Sequence, residues 1–537
     1  MTADAAAGPQ VTDPELAGLM AGARPHAVLD LRERAAYERG HVFRTTSLPR
    51  RLLETRLAAL VPAPGVPVML IDEDGRLSAL ACPTLGDLGY RNVRVLDGGL
   101  AAWRAAGRPL CQGLNVPSKV FGEAVLHQHR TPEVSPEALS AWMAEGRDLL
   151  IVDARTPEEY RRGCVPGAVS VPGAELALRV PDLLGGPATT VVVHCGGRTR
   201  SYLGVESLRR AGLPNPVVAL RNGTMGWELA GLVLERGAAR RAPPPSASAV
   251  ARSRAVGARL AAEDGLPVVS PAEVRKLRER QADGQPMPFY LFDVRPAEEH
   301  AAGHVPGAAW APGGQLVQAT DDYVAIRGAT VVLACDGGLR AVITAAWLRG
   351  MGLPDVRVLA GGAPAWAETE GPLETGSPVA VPAGLAAARA SVASIPPGPL
   401  GECLVLSVDD SDAYTRAHVP GAGWVCRSRL ELRLPDLSPD RGRRIVLTCE
   451  DGTESTLGAA ALRRAGYRAV QVLAGGLRAW REAGHPIASG PERLLDEPDD
   501  VVLKPYDRGP AAMAAYLAWE EVLDADGRSS HSLFPAT

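Results

Sequence analysis

Residues 191–201 read Val-Val-Val-His-Cys-Gly-Gly-Arg-Thr-Arg-Ser. Three consecutive valines, apolar on both faces, predict a short strand inside a sheet covered on both sides. A six-residue loop, 195–200, follows. In 201–211, Leu203, Val205 and Leu208 supply a helical apolar face, and Gly212 closes it. Working outward, Leu149-Leu150-Ile151-Val152 and Val217-Val218-Ala219-Leu220 are further apolar runs. Thr156-Pro157 opens a helix with a capping residue and a proline just inside, and Met225-Gly226-Trp227 opens another. Strand and helix alternate, so the fold class is α/β with a mainly parallel sheet flanked by helices. In such sheets ligand sites form at the carboxyl ends of strands, the position of loop 195–200.

The same phrase occurs four times. VMLIDEDGRLS (68–78), VVVHCGGRTRS (191–201), VVLACDGGLRA (331–341) and IVLTCEDGTES (445–455) are its copies. The loop-opening residues Asp72, Cys195, Cys335 and Cys449 are spaced by 123, 140 and 114 residues. His41, Cys164, His304 and His418, the last three followed by Val-Pro-Gly, repeat those three intervals. A glycine lies 17 residues after each loop start (Gly89, Gly212, Gly352, Gly466). Each unit ends alike: LDGGLAAW (96–103), LRNGTMGW (220–227), LAGGAPAW (359–366) and LAGGLRAW (473–480). Shared register at all these anchors establishes a four-fold repeat. The expected domains are 10–113, 130–240, 266–376 and 380–490, with a linker at 241–265 and a carboxy-terminal extension at 491–537. The long second join, at 241–265, suggests two pairs, first with second and third with fourth.

Length and composition agree. At 537 residues the chain exceeds one core. With 46% hydrophobic and 22% charged residues it reads as globular. A net charge of −4 gives no footprint for nucleic acid or an anionic membrane. Of 57 basic residues only Lys119, Lys276 and Lys504 are lysine, a bias that points to a GC-rich bacterial source. None of the eight cysteines forms a C-x-x-C pair, and no apolar run reaches 18 residues. No signal sequence is visible, so a cytoplasmic, reduced protein without disulfides is expected. His127 and His129 have no second pair at metal spacing, and no metal or cofactor is expected.

In loop 195–200 a thiol directly follows a strand. Gly196 and Gly197 let the backbone curl so that N–H groups turn inward as an anion nest. A helix N-terminus follows, and Arg198 and Arg200 add charge. Each feature favours a thiolate, the nucleophilic form of cysteine. With its early Asp153-x-Arg155, the Gly-His-x-Pro-Gly-Ala turn, the six-residue Cys loop and the late Gly-Gly-x-x-x-Trp phrase, the chain resembles the rhodanese (thiosulfate sulfurtransferase) family over about residues 10–490. The resemblance implies four tandem rhodanese-like domains. It also implies that Cys195 takes a sulfane sulfur as a persulfide and passes it to a thiophilic acceptor. Gly196, Gly197, Arg198, Thr199 and Arg200 would then cradle the substrate. A cysteine phosphatase would need Cys-x5-Arg, but Ser201 holds that position and the loop is too small for phosphate.

The copies differ. The first has Asp72, which cannot carry a persulfide, and is expected to be inactive, with Cys82 in its core. The third keeps Cys335 and Arg340, a possible second site, but Asp336 beside the thiol opposes ionisation. The fourth surrounds Cys449 with Glu450, Asp451 and Glu454 and replaces the early Asp-x-Arg by Ser407-Val408-Asp409. The Gly-His histidines are read as turn stabilisers, Cys164 as a small buried residue, the tryptophans as core anchors, and Asp153–Arg155 as an ion pair. Met513, Tyr516, Leu517, Trp519 and Val522 have helical spacing, read as a helix packed on the last domains. Two functions are open. One is sulfur transfer from thiosulfate or a low-molecular-weight persulfide to a thiol, or to a protein acceptor. The other is a non-catalytic sulfur relay or scaffold that binds partner proteins.

Overall fold

The computed structural model describes residues 9–282, 287–377 and 381–523. Val191 and Val193 pack with Val152, Tyr202, Val205 and Leu208 on one side of the second sheet. Val192 packs with Ile151, Tyr160 and Trp227 on the other. This two-residue alternation inside a wholly apolar run is what a sheet covered on both faces requires. Burying each valine contributes roughly 1.5–3 kcal/mol.

The second sheet runs Glu133–Val134, Val217–Leu220, Thr190–His194, Leu149–Asp153, Val169–Ser170, with every pair parallel. In chain order this is one, five, four, two, three. The order recurs in Gln10–Val11, Val93–Leu96, Val68–Ile71, His26–Asp30, Thr46–Ser47. It recurs in Val268–Val269, Val356–Leu359, Thr330–Ala334, Phe289–Asp293, Ala309–Trp310. It recurs again in Ala393–Ile395, Val470–Leu473, Ile445–Thr448, Leu404–Ser407, Gly423–Trp424. The α/β class and the four-fold repeat hold. In each copy the loop lies after the fourth strand in chain order and before a helix, for the second copy Thr199–Arg210.

The expected pairing of copies does not hold. The first and fourth form one compact unit with 381–502, and the second and third form the other with 503–523. In the first unit, Arg50 donates to both carboxylate oxygens of Glu431 at 2.9 and 2.6 Å. In the second, Trp347 Nε1 donates to Ser207 Oγ at 3.0 Å. The long second join, between the second and third copies, explains the outcome. It contains the helix Ala247–Glu263, whose N-terminal Ser246 is held by Asp182 of the second copy. Ser253 of that helix accepts the Leu339 N–H of the third copy at 2.9 Å. The segment fastens the second copy to the third.

The carboxy-terminal helix Pro510–Glu521 also departs from expectation. It packs on the second copy, not the last domains, with Met513 and Leu517 against Met225. Among the described residues no helix is long and apolar enough to cross a membrane.

Candidate functional site

The late phrase of each repeat builds the loop. The carbonyls of Cys195 and Gly196 accept N–H groups of Thr224 and Met225 at 2.9 and 3.0 Å. A Cβ on Gly223 would lie 2.3 Å from the Cys195 oxygen, and its φ is +54°. Only glycine fits this left-handed close approach. The equivalent distances are 2.6 Å for Gly99 to Asp72 O, 2.2 Å for Gly362 to Cys335 O and 2.1 Å for Gly476 to Cys449 O. With the carbonyls tied outward, the N–H groups of Gly196, Gly197, Arg198, Thr199 and Arg200 make no hydrogen bond among the described residues. They form an uncommitted ring of donors at a helix N-terminus. Cys195 is 2% exposed, and its Sγ lies 3.4 Å from Ser201 Oγ.

Both loop arginines are turned into ion pairs. Arg198 donates to the two oxygens of Glu123 at 2.7 Å each, to Asn222 Oδ1 at 2.8 Å and to Glu521 at 3.0 Å. Arg200 donates to Glu159 at 2.7 and 2.8 Å and to Gln315 at 3.2 Å. The Arg200 charge holds the Glu159 carboxyl far below the carboxylate range despite burial. Thr199 Oγ1 donates to Glu520 Oε1 at 2.8 Å. Glu123, Glu159, Asn222, Glu520 and Glu521 are absent from the sequence reading. Only Glu159 had a signal, in the capping box Thr156-x-x-Glu159, and the structure contains that box.

Asp153 and Arg155 are a buried pair at 2.7 Å, and Arg155 also bonds the Gly163 carbonyl. It braces the turn, as do Asp30–Arg32 and Asp293–Arg295. The Gly-His histidines serve that turn too. His41, His304 and His418 bond carbonyls four residues back at 3.0, 2.8 and 2.8 Å. Cys164 replaces them, fully buried, its thiol pushed up to about 11 by desolvation. The late tryptophans are core, with Trp227 Nε1 bonded to Val233 O at 3.1 Å.

In the other three loops side chains engage the amides. Asp72 accepts Leu77 N–H at 2.8 Å and Ser78 Oγ at 2.5 Å. In the third loop Ser253 takes the Leu339 N–H, and the Cys335 thiol donates to Gly338 O at 3.5 Å. Arg340 is committed to Glu175, Glu299 and Asp336. Burial first, then Asp336, pushes the Cys335 thiol up to about 11. Cys449 takes the Ser455 N–H at 3.3 Å, and burial pushes it to about 11. Asp409 accepts the Glu450 N–H at 2.8 Å and is raised by burial to about 6. Among the described residues no group of three or more His, Cys, Asp or Glu is placed to hold a metal.

Four parallel sheets of one order, each with a loop between its fourth strand and a helix, invite comparison with known proteins. The rhodanese-like domain profile matches residues 12–106, 135–230, 270–369 and 399–483, and the chain belongs to that family. A thiosulfate sulfurtransferase structure from Pseudomonas aeruginosa is 37% identical, covering 97% of this chain and 98% of that one, with TM-score 0.88. A candidate thiosulfate sulfurtransferase of Mycobacterium tuberculosis is 31% identical over 238 residues, spanning 36% of this chain and 82% of that one. The thiosulfate sulfurtransferase of Azotobacter vinelandii is 32% identical over 189 residues, 31% of this chain and 68% of that one.

Proposed function

We propose that this chain is a sulfurtransferase whose working nucleophile is Cys195 of the second domain. The observation that carries the reading is the contrast between loops. Around Cys195 the amide ring is uncommitted among the described residues, whereas Asp72 engages an amide of the first loop, Ser253 one of the third, and Asp409 and Asp451 two of the fourth. The Cys195 thiolate attacks the outer sulfur of a donor. With thiosulfate, the S–S bond breaks, sulfite leaves with the bonding pair, and Cys195 becomes a persulfide anion. The amides stabilise that anion, which the buried position alone would penalise. An acceptor such as cyanide or a thiolate then attacks the outer sulfur, and the cysteine thiolate returns. Thr199 and the two glycines shape the cradle. Arg198 and Arg200 fix its form through their ion pairs.

The related names support the sulfur chemistry, and the first, third and fourth domains serve as scaffold. The test is thiocyanate formation from a sulfane donor and cyanide by the full chain. Cys195→Ser should lose at least about a thousandfold, as expected for removal of a nucleophile. Cys335→Ser and Cys449→Ser should retain activity within about twofold. Equal turnover by wild type and Cys195→Ser would overturn the assignment.

A further inference from the structure

Glu520 is fully buried, yet among the described residues only one of its carboxylate oxygens is engaged. Oε1 accepts Thr199 Oγ1 at 2.8 Å and lies 3.7 Å from Lys119 Nζ. Among the described residues Oε2 has no hydrogen-bond partner. It is aimed at the loop: a Cβ on Gly197 would lie 3.2 Å from it, with Leu517 and Met225 side chains alongside. The carboxy-terminal helix thus covers the Cys195 loop with an apolar face and one unsatisfied carboxylate oxygen.

The arginines do not offset that charge. Arg198 and Arg200 are held by Glu123, Glu521 and Glu159, and Arg155 by Asp153. Counting Lys119, four cations stand against five carboxylates around the loop among the described residues. A buried acceptor without a donor is satisfied by a ligand carrying a proton and repels one carrying two negative charges.

We propose that Glu520 sets donor choice at Cys195, favouring hydrogen-bearing persulfide and thiol carriers over the thiosulfate dianion. This rests on the sulfurtransferase reading above. In the favoured step the Cys195 thiolate attacks the outer sulfur of R–S–SH, and the S–S bond to the carrier breaks. The outer proton passes to the departing RS⁻. The products are the Cys195 persulfide anion and RSH, with atoms and charge conserved. With thiosulfate the incoming and departing groups are both dianions beside Glu520.

The experiment compares full-length wild type, Glu520→Gln and Cys195→Ser with thiosulfate and with glutathione persulfide as donors. Glutamine keeps an oxygen for Thr199, and a melting curve verifies folding. Wild type should show the higher kcat/KM for glutathione persulfide. Glu520→Gln should raise kcat/KM for thiosulfate by about tenfold, while the persulfide reaction changes less than about twofold. A factor common to both donors, or no change, would overturn the proposal. A second measurement uses wild type alone: persulfide-loaded enzyme is offered sulfite or glutathione. Faster discharge by glutathione is expected, and discharge by sulfite at an equal or higher rate contradicts the proposal. If neither donor loads wild type, or Cys195→Ser loads equally, the sulfurtransferase reading itself fails, a result distinct from an unchanged donor ratio.

Discussion

The backbone N–H of Leu77 donates to Asp72 Oδ2 at 2.8 Å, so the first loop carries its own anion in its amide ring. Burial raises the Asp72 pKa above its ordinary 3.8 despite this bond. A carboxyl whose folded pKa is raised adds stability below its unfolded pKa, and that contribution is lost as pH rises through the folded value. Asp72→Asn removes the penalty of the buried charge. Its denaturation midpoint relative to wild type should therefore increase from about pH 4 upward and then level off. A difference independent of pH would contradict this.

Glu159 behaves with the opposite sign. Arg200 depresses its pKa from the ordinary 4.5. The pair's contribution is complete above that value and is lost as pH falls through the depressed folded one. Glu159→Gln leaves the Arg200 guanidinium buried without its carboxylate partner and should cost about 3 kcal/mol at neutral pH. Urea denaturation at pH 7 and pH 3 would measure it, with the gap between variant and wild type narrowing at the lower pH.

Gly223 holds a left-handed φ of +54° against the Cys195 carbonyl. Gly223→Ala should cost about 1–3 kcal/mol and displace the loop, lowering sulfur transfer at least about tenfold. Gly99→Ala, its counterpart against the Asp72 carbonyl, should cost similar stability and leave transfer within about twofold. Equal loss of activity in both would implicate general destabilisation.

Thiol reactivity separates the degenerate sites. Cys335 and Cys449, pushed up to about 11, hold little thiolate at neutral pH. Their alkylation by iodoacetamide should run about two orders of magnitude slower than that of an ordinary free cysteine and rise tenfold per pH unit. Rates that level off near pH 8 would show that burial does not control them.

Much of the fold was legible because it is local. The apolar run 191–193, the capping Thr156, the turn histidines and the glycine before each late helix act within one repeat. The pairing of repeats was not legible, because Arg50–Glu431 and Trp347–Ser207 join residues 381 and 140 positions apart. The periodicity of 513–522 announced a helix but not the domain it covers. The two loop arginines were visible as charge, but the carboxylate partners of Arg198, Glu123 and Glu521, lie on other segments, and the partner of Arg200, Glu159, showed only as a helix-capping residue.

Peptide mass spectrometry after incubation with thiosulfate, and separately with glutathione persulfide, tests the central assignment most directly. The account predicts one added sulfur atom on the peptide containing Cys195, removable by cyanide or thiol and absent from Cys195→Ser. Sulfur on the Cys335 or Cys449 peptide with Cys195 unmodified, or no adduct from either donor on reduced, folded protein, would contradict it.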